Sequence, residues 1–193
     1  MTTPHWQGEV LALRIVKPAI KELSFEDARH LQVAEGWLGL GDAASASDEL
    51  EEIALGEQTH PAVLQVRYAI YAKCGQWDMA NEVAERVVSL LPEVAGTWIN
   101  LAYATRRKTG GGIPDAKKIL LAAQLKFSGD CLIPFNLACY CSQLREFDQA
   151  EQWLKKAAAI NEKAVRKMAA DDPDLKPLWD TRGRMIWEEK EPL

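Results

Sequence analysis

Few residues of this sequence stand at spacings that do chemistry. Cys139 and Cys141 make a C-x-C pair, with Cys131 eight residues earlier and Cys74 remote. On a helix the pair points roughly 200° apart, so the two thiols cannot share one ion. Cys131 and Cys139 would lie about 12 Å apart along the helix axis. No CxxC motif is present, and the four read best as small, buried, reduced apolar side chains. His5, His30 and His60 fall in no HExxH or Ser/His arrangement. Asp78, Asp115 and Asp148 recur where helices start, a place that favours negative charge without any catalysis. Gly110-Gly111-Gly112 lacks the lysine and hydroxyl residue of a phosphate-binding loop, and reads as an enlarged turn or mobile hinge. The residues therefore predict no catalytic set, no metal site and no cofactor.

The remaining signals concern what positions the chain. The 193 residues suffice for one domain, and 48% hydrophobic with 26% charged residues suits a soluble, packed fold. The net charge of −5 argues against general nucleic-acid binding. No apolar run approaches the ~18 residues of a membrane span, and the N-terminus lacks the pattern of a signal peptide. A cytoplasmic protein is expected. Charge is unevenly spread: residues 1–60 hold four basic and eleven acidic side chains, whereas residues 61–130 hold nine and six. Such a gradient can orient a partner.

Strand signals are nearly absent. Ala-, Leu-, Glu- and Lys-rich runs are broken every 12 to 18 residues. Ser24 with Asp27 three residues on can cap a first helix that ends at Gly39-Leu40-Gly41-Asp42. Further helices are expected over 43–55, 61–74, 76–90, 94–108, 114–126, 132–143 and 147–161. A short helix should follow Asp171-Asp172-Pro173, and a last amphipathic piece spans 184–189. The breaks carry a period. Gly41-Asp42 and Gly75-Gln76 are 34 residues apart, as are Trp37 and Tyr71; Ala46, Ala80, Ala116 and Ala150 follow at 34, 36 and 34. Helix pairs repeated at this spacing cannot bury their apolar faces alone, so they must stack.

With that period the chain resembles the tetratricopeptide repeat (TPR) family. The matching residues are Trp37 and Ala46; Tyr71, Gly75, Ala80 and Pro92; Trp98, Leu101, Ala102, Ala116 and Ala123; and Leu137, Ala138, Ala150 and Ala157. The resemblance implies an all-α, right-handed superhelical solenoid of about four helix-turn-helix units, with residues 1–26 flanking. The units are 27–60, 61–94, 95–130 and 131–162. Residues 163–193 form a C-terminal cap like the closing unit of some bacterial TPR proteins. The eighth position of a unit, usually small, is Ala34, Tyr68, Ala102 and Ala138, so Tyr68 should disturb close packing or mark a shifted register. Trp37 and Trp98 are expected in the core, Trp77 and Trp153 between units, Trp179 and Trp187 sealing the C-terminal end, and Trp6 laying an N-terminal helix on the first unit.

The resemblance also implies which residues line the concave face: Leu31 and Glu35; Gln65, Ala69 and Lys73; Ile99, Asn100, Tyr103, Arg106 and Arg107; Phe135, Asn136 and Cys139. Ile99, Tyr103 and Phe135 can hold apolar side chains. Asn100 and Asn136 can each donate to and accept from a peptide backbone, or bond only to a neighbouring helix. Lys73, Arg106, Arg107 and Lys108 either complement helix C-termini or form a basic end that grips an acidic segment or terminal carboxylate. Chaperone-binding TPR domains carry a Lys, Asn, Asn, Lys, Arg clamp. Here Leu31, Glu35, Val66, Gly96 and Asn100 stand at those places, which makes a heat-shock chaperone tail an unsuitable ligand.

These readings lead to a non-enzymatic interaction module or adaptor that binds an extended peptide or a protein partner through its concave face. Two alternatives stay open: a self-associating scaffold subunit, homo-oligomeric through convex or terminal surfaces, and a secretion-type chaperone using the same apolar groove.

Overall fold

The computed structural model describes residues 21–183; the expectations for Trp6, Trp187 and the helix over 184–189 lie outside them. Nine α-helices run in chain order among the described residues: α1 Phe25–Leu40, α2 Ala43–Glu51, α3 Pro61–Lys73, α4 Trp77–Leu90, α5 Ala95–Thr105, α6 Ile113–Lys126, α7 Leu132–Gln143, α8 Phe147–Asp171 and α9 Lys176–Arg182. Helices α1 to α8 pack mainly on their neighbours in sequence, with α1 on α3 and α5 on α7 beside them, and α9 lies against both α7 and α8. The result is an all-α solenoid of stacked helix pairs.

Local chemistry sets the boundaries. Ser24 caps α1 by accepting from the Asp27 N–H at 3.1 Å, and its hydroxyl donates to the Asp27 carboxylate at 2.7 Å. Gly41 ends α1 in the left-handed conformation at φ 96°. The expected helix over 43–55 stops at Glu51, because Gln58 reaches back to donate to the Leu50 and Ile53 carbonyls at 2.7 Å each. The helix over 94–108 stops at Thr105. In the following glycine turn Thr109 donates from both N–H and hydroxyl to Asp78, at 2.8 Å each, tying the enlarged turn to α4. The eighth helix breaks at Asn161 (φ −151°, ψ 84°), where the Asn161 side chain accepts from the Ala164 N–H and restarts the helix to Asp171.

The periodic alanines are the packing contacts of the fold. Ala46, Ala80, Ala116, Ala123, Ala150 and Ala157 are all buried, as are Ala34, Ala102 and Ala138. Three apolar clusters follow one another along the solenoid, centred on α1–α3, on α3–α5 and on α5–α9. Leu175 and Leu178, in and after the short turn at Pro173–Leu175, are fully buried in the last of these and close it. Tyr68 is buried and neither shifts the register nor opens the core. Its hydroxyl donates to the Asn100 carbonyl at 3.0 Å and bridges α3 to α5. Trp37 is the exception to the expected core, at 37% exposed.

Candidate functional site

The positions that face inward on α3 line a real cleft. Ala62, Gln65, Val66 and Ala69 on α3 stand opposite Glu35 and Leu38 on α1 and enclose about 330 Å³. Its floor is aliphatic, with the Glu35 carboxylate and the Gln65 amide as polar members. The Gln65 amide donates to the Pro61 carbonyl of its own helix at 3.3 Å. Carried one unit along, the same register places Gly96, Ile99, Asn100 and Tyr103 on α5. Asn100 is half-buried, and its side-chain amide bonds to none of the described residues, leaving one donor group and one acceptor available. Ile99 is partly buried against the core.

Beyond Asn100 the face becomes aromatic and basic. Tyr103 is exposed and packs edge-on to Trp77, ring centroids 5.6 Å apart at 67°. The Arg107 guanidinium lies 3.5 Å from the Tyr103 ring centroid and 5.2 Å from that of Trp77, and donates to the Tyr103 carbonyl at 3.1 Å. Stacking fixes the guanidinium while leaving edge N–H groups for an anion. Lys73 occupies the same place on α3 and is exposed beside the Gly41 turn. Neither cation has a carboxylate partner among the described residues.

The other expected site residues are used within the fold. Arg106 forms a two-pronged pair with Asp174 at 2.5 and 3.2 Å and lies 5.3 Å from the Tyr140 ring centroid. Its guanidinium pKa is raised, chiefly by the Asp174 hydrogen bond. Phe135, expected in the groove, is only 5% exposed, and Cys139 beside it is buried; both belong to the core that Leu175 and Leu178 complete. Asn136 donates to the Leu132 carbonyl of its own helix at 2.8 Å. For Phe135 and Cys139 the cause is the C-terminal segment: Gln143 donates to the Asp174 carbonyl at 2.9 Å, and the Leu178 N–H donates to Ser142 at 3.2 Å. That segment lies against the inward positions of α7. The open face is thus α1, α3 and α5, and Leu38 and Trp77 join it although the sequence reading did not single them out for it.

Cys139 and Cys141 are buried as expected, whereas Cys74 is exposed and Cys131 half-buried. Burial raises the Cys139 thiol well above its usual range and Cys141 to about 11. Among the described residues no group of three or more His, Cys, Asp or Glu could hold a metal ion, and no helix is long and apolar enough to cross a membrane.

No protein-family model and no curated protein matches the sequence. Solved structures match the fold. A thermophilic TPR protein of Thermus thermophilus superposes with a TM-score of 0.61 at 17% identity, over 85% of this chain and 93% of that one. The MamA protein gives 0.60 at 15% identity, over 87% and 97%. A putative kinesin light chain of Podospora anserina with nearly identical TPR-like repeats gives 0.55 at 20%, over 79% and 82%. The helix pairs, the buried periodic alanines and these superpositions agree: the chain has the tetratricopeptide-repeat fold.

Proposed function

We propose that the protein is an interaction module that takes an extended peptide segment of a protein partner along α1, α3 and α5. The observation that carries this reading is the cleft over Leu38, Ala62, Val66 and Ala69, continuous in register with the unbonded Asn100 amide. An extended backbone needs a donor and an acceptor at each residue as it leaves water. Asn100 supplies both, beside apolar floor that shelters side chains. Lys73 and the stacked Arg107 favour an acidic residue or terminal carboxylate at the C-terminal ends of α3 and α5. The likeness to TPR proteins supports the interaction role by fold alone.

The test is display of random peptides against the immobilised full chain, followed by titration of the enriched sequences. Peptides that combine an aliphatic side chain with a nearby acid are expected. Their affinity should fall at least ~10-fold in a Gln65→Ala, Asn100→Ala, Tyr103→Ala variant of unchanged helicity. Absence of enrichment, or equal binding by the variant, would sink the reading.

A further inference from the structure

One inter-unit face of the solenoid is left open. At the later units, the first helix meets the second helix of the unit before it through some of its positions seven, eleven and fourteen, although Cys74, the fourteenth of α3, is exposed. On α3, Arg67 donates to Glu51 of α2 at 3.0 Å. On α5, Leu101 is buried, the Thr105 hydroxyl donates to Asn81 of α4 at 2.8 Å, and Lys108 faces Glu85 at 3.9 Å. On α7, Leu137 is buried and Cys141 lies close to Lys117 of α6. The same positions of α1 are Val33, Trp37 and Leu40, which are 36%, 37% and 79% exposed. They form an apolar stripe at i, i+4 and i+7, and no second helix precedes α1 among the described residues.

Running the period back by 34 residues identifies the occupant. Ala12 stands 34 before Ala46, the buried alanine of α2. The nine residues of α2 correspond to Glu9-Val10-Leu11-Ala12-Leu13-Arg14-Ile15-Val16-Lys17, and Pro18, which cannot continue a helix, comes next. Val16 falls where Leu50 fills the core. The offset that pairs Asn81 with Thr105 pairs Leu13 with Trp37, an apolar couple in place of a polar one. The entry path agrees. Lys21 is bonded to Glu57 at 2.6 Å, and its carbonyl meets His60 Nε2 at 2.9 Å. The chain therefore reaches α1 beside the α2-to-α3 connection, on the edge where a second helix hands over to the next first helix.

We propose that residues 9–17 form the second helix of a half-unit that precedes α1 and covers Val33, Trp37 and Leu40 within the same molecule, with Leu13 against Trp37. A half-unit then precedes α1, and the α1 stripe is interior surface. This leaves the concave cleft as the open apolar face at that end.

The test uses the full chain with Cys74→Ser, carrying Leu13→Cys and Trp37→Cys, oxidised mildly with diamide. The control pairs Leu11→Cys with Trp37→Cys, since Leu11 points roughly 200° away from Leu13 on a helix. Non-reducing electrophoresis and mass spectrometry should show a monomeric cross-link, at least ~5-fold more of it than in the control. No cross-link in a folded chain, or equal cross-linking by both pairs, overturns the proposal. Covalent dimers alone also overturn it and assign the stripe to a second copy. With native cysteines and Trp37 kept, Leu13→Asp should speed hydrogen exchange across Val33–Leu40 at least ~10-fold, with α7 unchanged. Unchanged exchange there overturns it as well.

Discussion

Arg106 and Asp174 stand 68 residues apart and meet through two parallel hydrogen bonds of 2.5 and 3.2 Å. The pair joins the C-terminal end of α5 to the turn before α9, and the Tyr140 ring lies 5.3 Å from the guanidinium. Through it, the chain's own acidic residue takes a cation that a groove of this register would otherwise offer to a partner. In the fourth unit the inward positions Phe135 and Cys139 are buried beneath the segment that this pair anchors.

Asp174→Asn should destabilise the protein by about 2 kcal/mol, since charge-assisted bonds at a largely buried site exceed neutral ones. Urea unfolding measures this. An Arg106→Met, Asp174→Asn double variant should lose less than the two single losses added together, because the partners lose each other only once. Additive losses would mean the two residues act independently.

The helices and their stacking were legible because each boundary carries its own chemistry. Ser24, Gly41, Gly75 and Pro61 mark ends whatever surrounds them, and the 34-residue alanine spacing reports which sides touch. Burial was less legible, because it depends on what covers a face. Phe135 has the register of a groove residue, and only the fold-back of Leu175 and Leu178 makes it core. Trp37 has the register of a core residue, and its exposure depends on whether a helix stands before it. Arg106 and Arg107 are adjacent in sequence with opposite fates, decided by Asp174, which no local pattern connects to them.

Gly111→Ala should disrupt the enlarged turn. A Cβ there would lie 2.0 Å from the Thr105 carbonyl oxygen and 2.9 Å from Lys108 Cγ. Backbone must move, at about 2 kcal/mol or more. Gly112→Ala meets only Pro114 Cδ at 3.5 Å, from extended backbone, and should change stability by less than ~0.5 kcal/mol. Paired thermal melts of the two variants check the contrast.

Acid should loosen the first unit. The Asp27 carboxylate is held below its ordinary value of 3.8, first by the hydrogen bond from the Ala54 N–H and then by Ser24. A depressed folded-state pKa gives stability that is present above the ordinary value and lost as pH falls through the folded one. Wild-type urea midpoints should therefore drop as pH falls past the ordinary value of 3.8 and on through the lower folded-state one. Asp27→Asn should start lower at neutral pH and fall less steeply. Asp42 and Glu146, both also depressed, keep part of the slope in the variant. Identical slopes would remove Asp27 from the acid response.

Gln124 is 4% exposed on α6, and neither its amide nitrogen nor its oxygen has a hydrogen-bond partner among the described residues. Gln124→Met preserves length and removes two unsatisfied polar atoms. It should stabilise the protein by about 1–2 kcal/mol, read as a rise in the thermal midpoint. A loss of stability would show that the amide is satisfied in solution.

Tyr68 separates the family pattern from the packing of this chain. Its place in the repeat is usually small, which invites Tyr68→Ala as a consensus change. The structure predicts the reverse. The ring fills the α3–α5 contact within the middle cluster, and burial pushes its hydroxyl to a pKa of about 12, so it remains a donor to the Asn100 carbonyl. Tyr68→Phe loses that bond alone and should cost about 1 kcal/mol. Tyr68→Ala also leaves a cavity and should cost roughly 3–5 kcal/mol. If α3 and α5 instead closed up around alanine, the variant would melt at or above the wild-type temperature. On the role proposed for Asn100, Tyr68→Phe should also weaken peptide binding slightly by releasing the backbone that aims it.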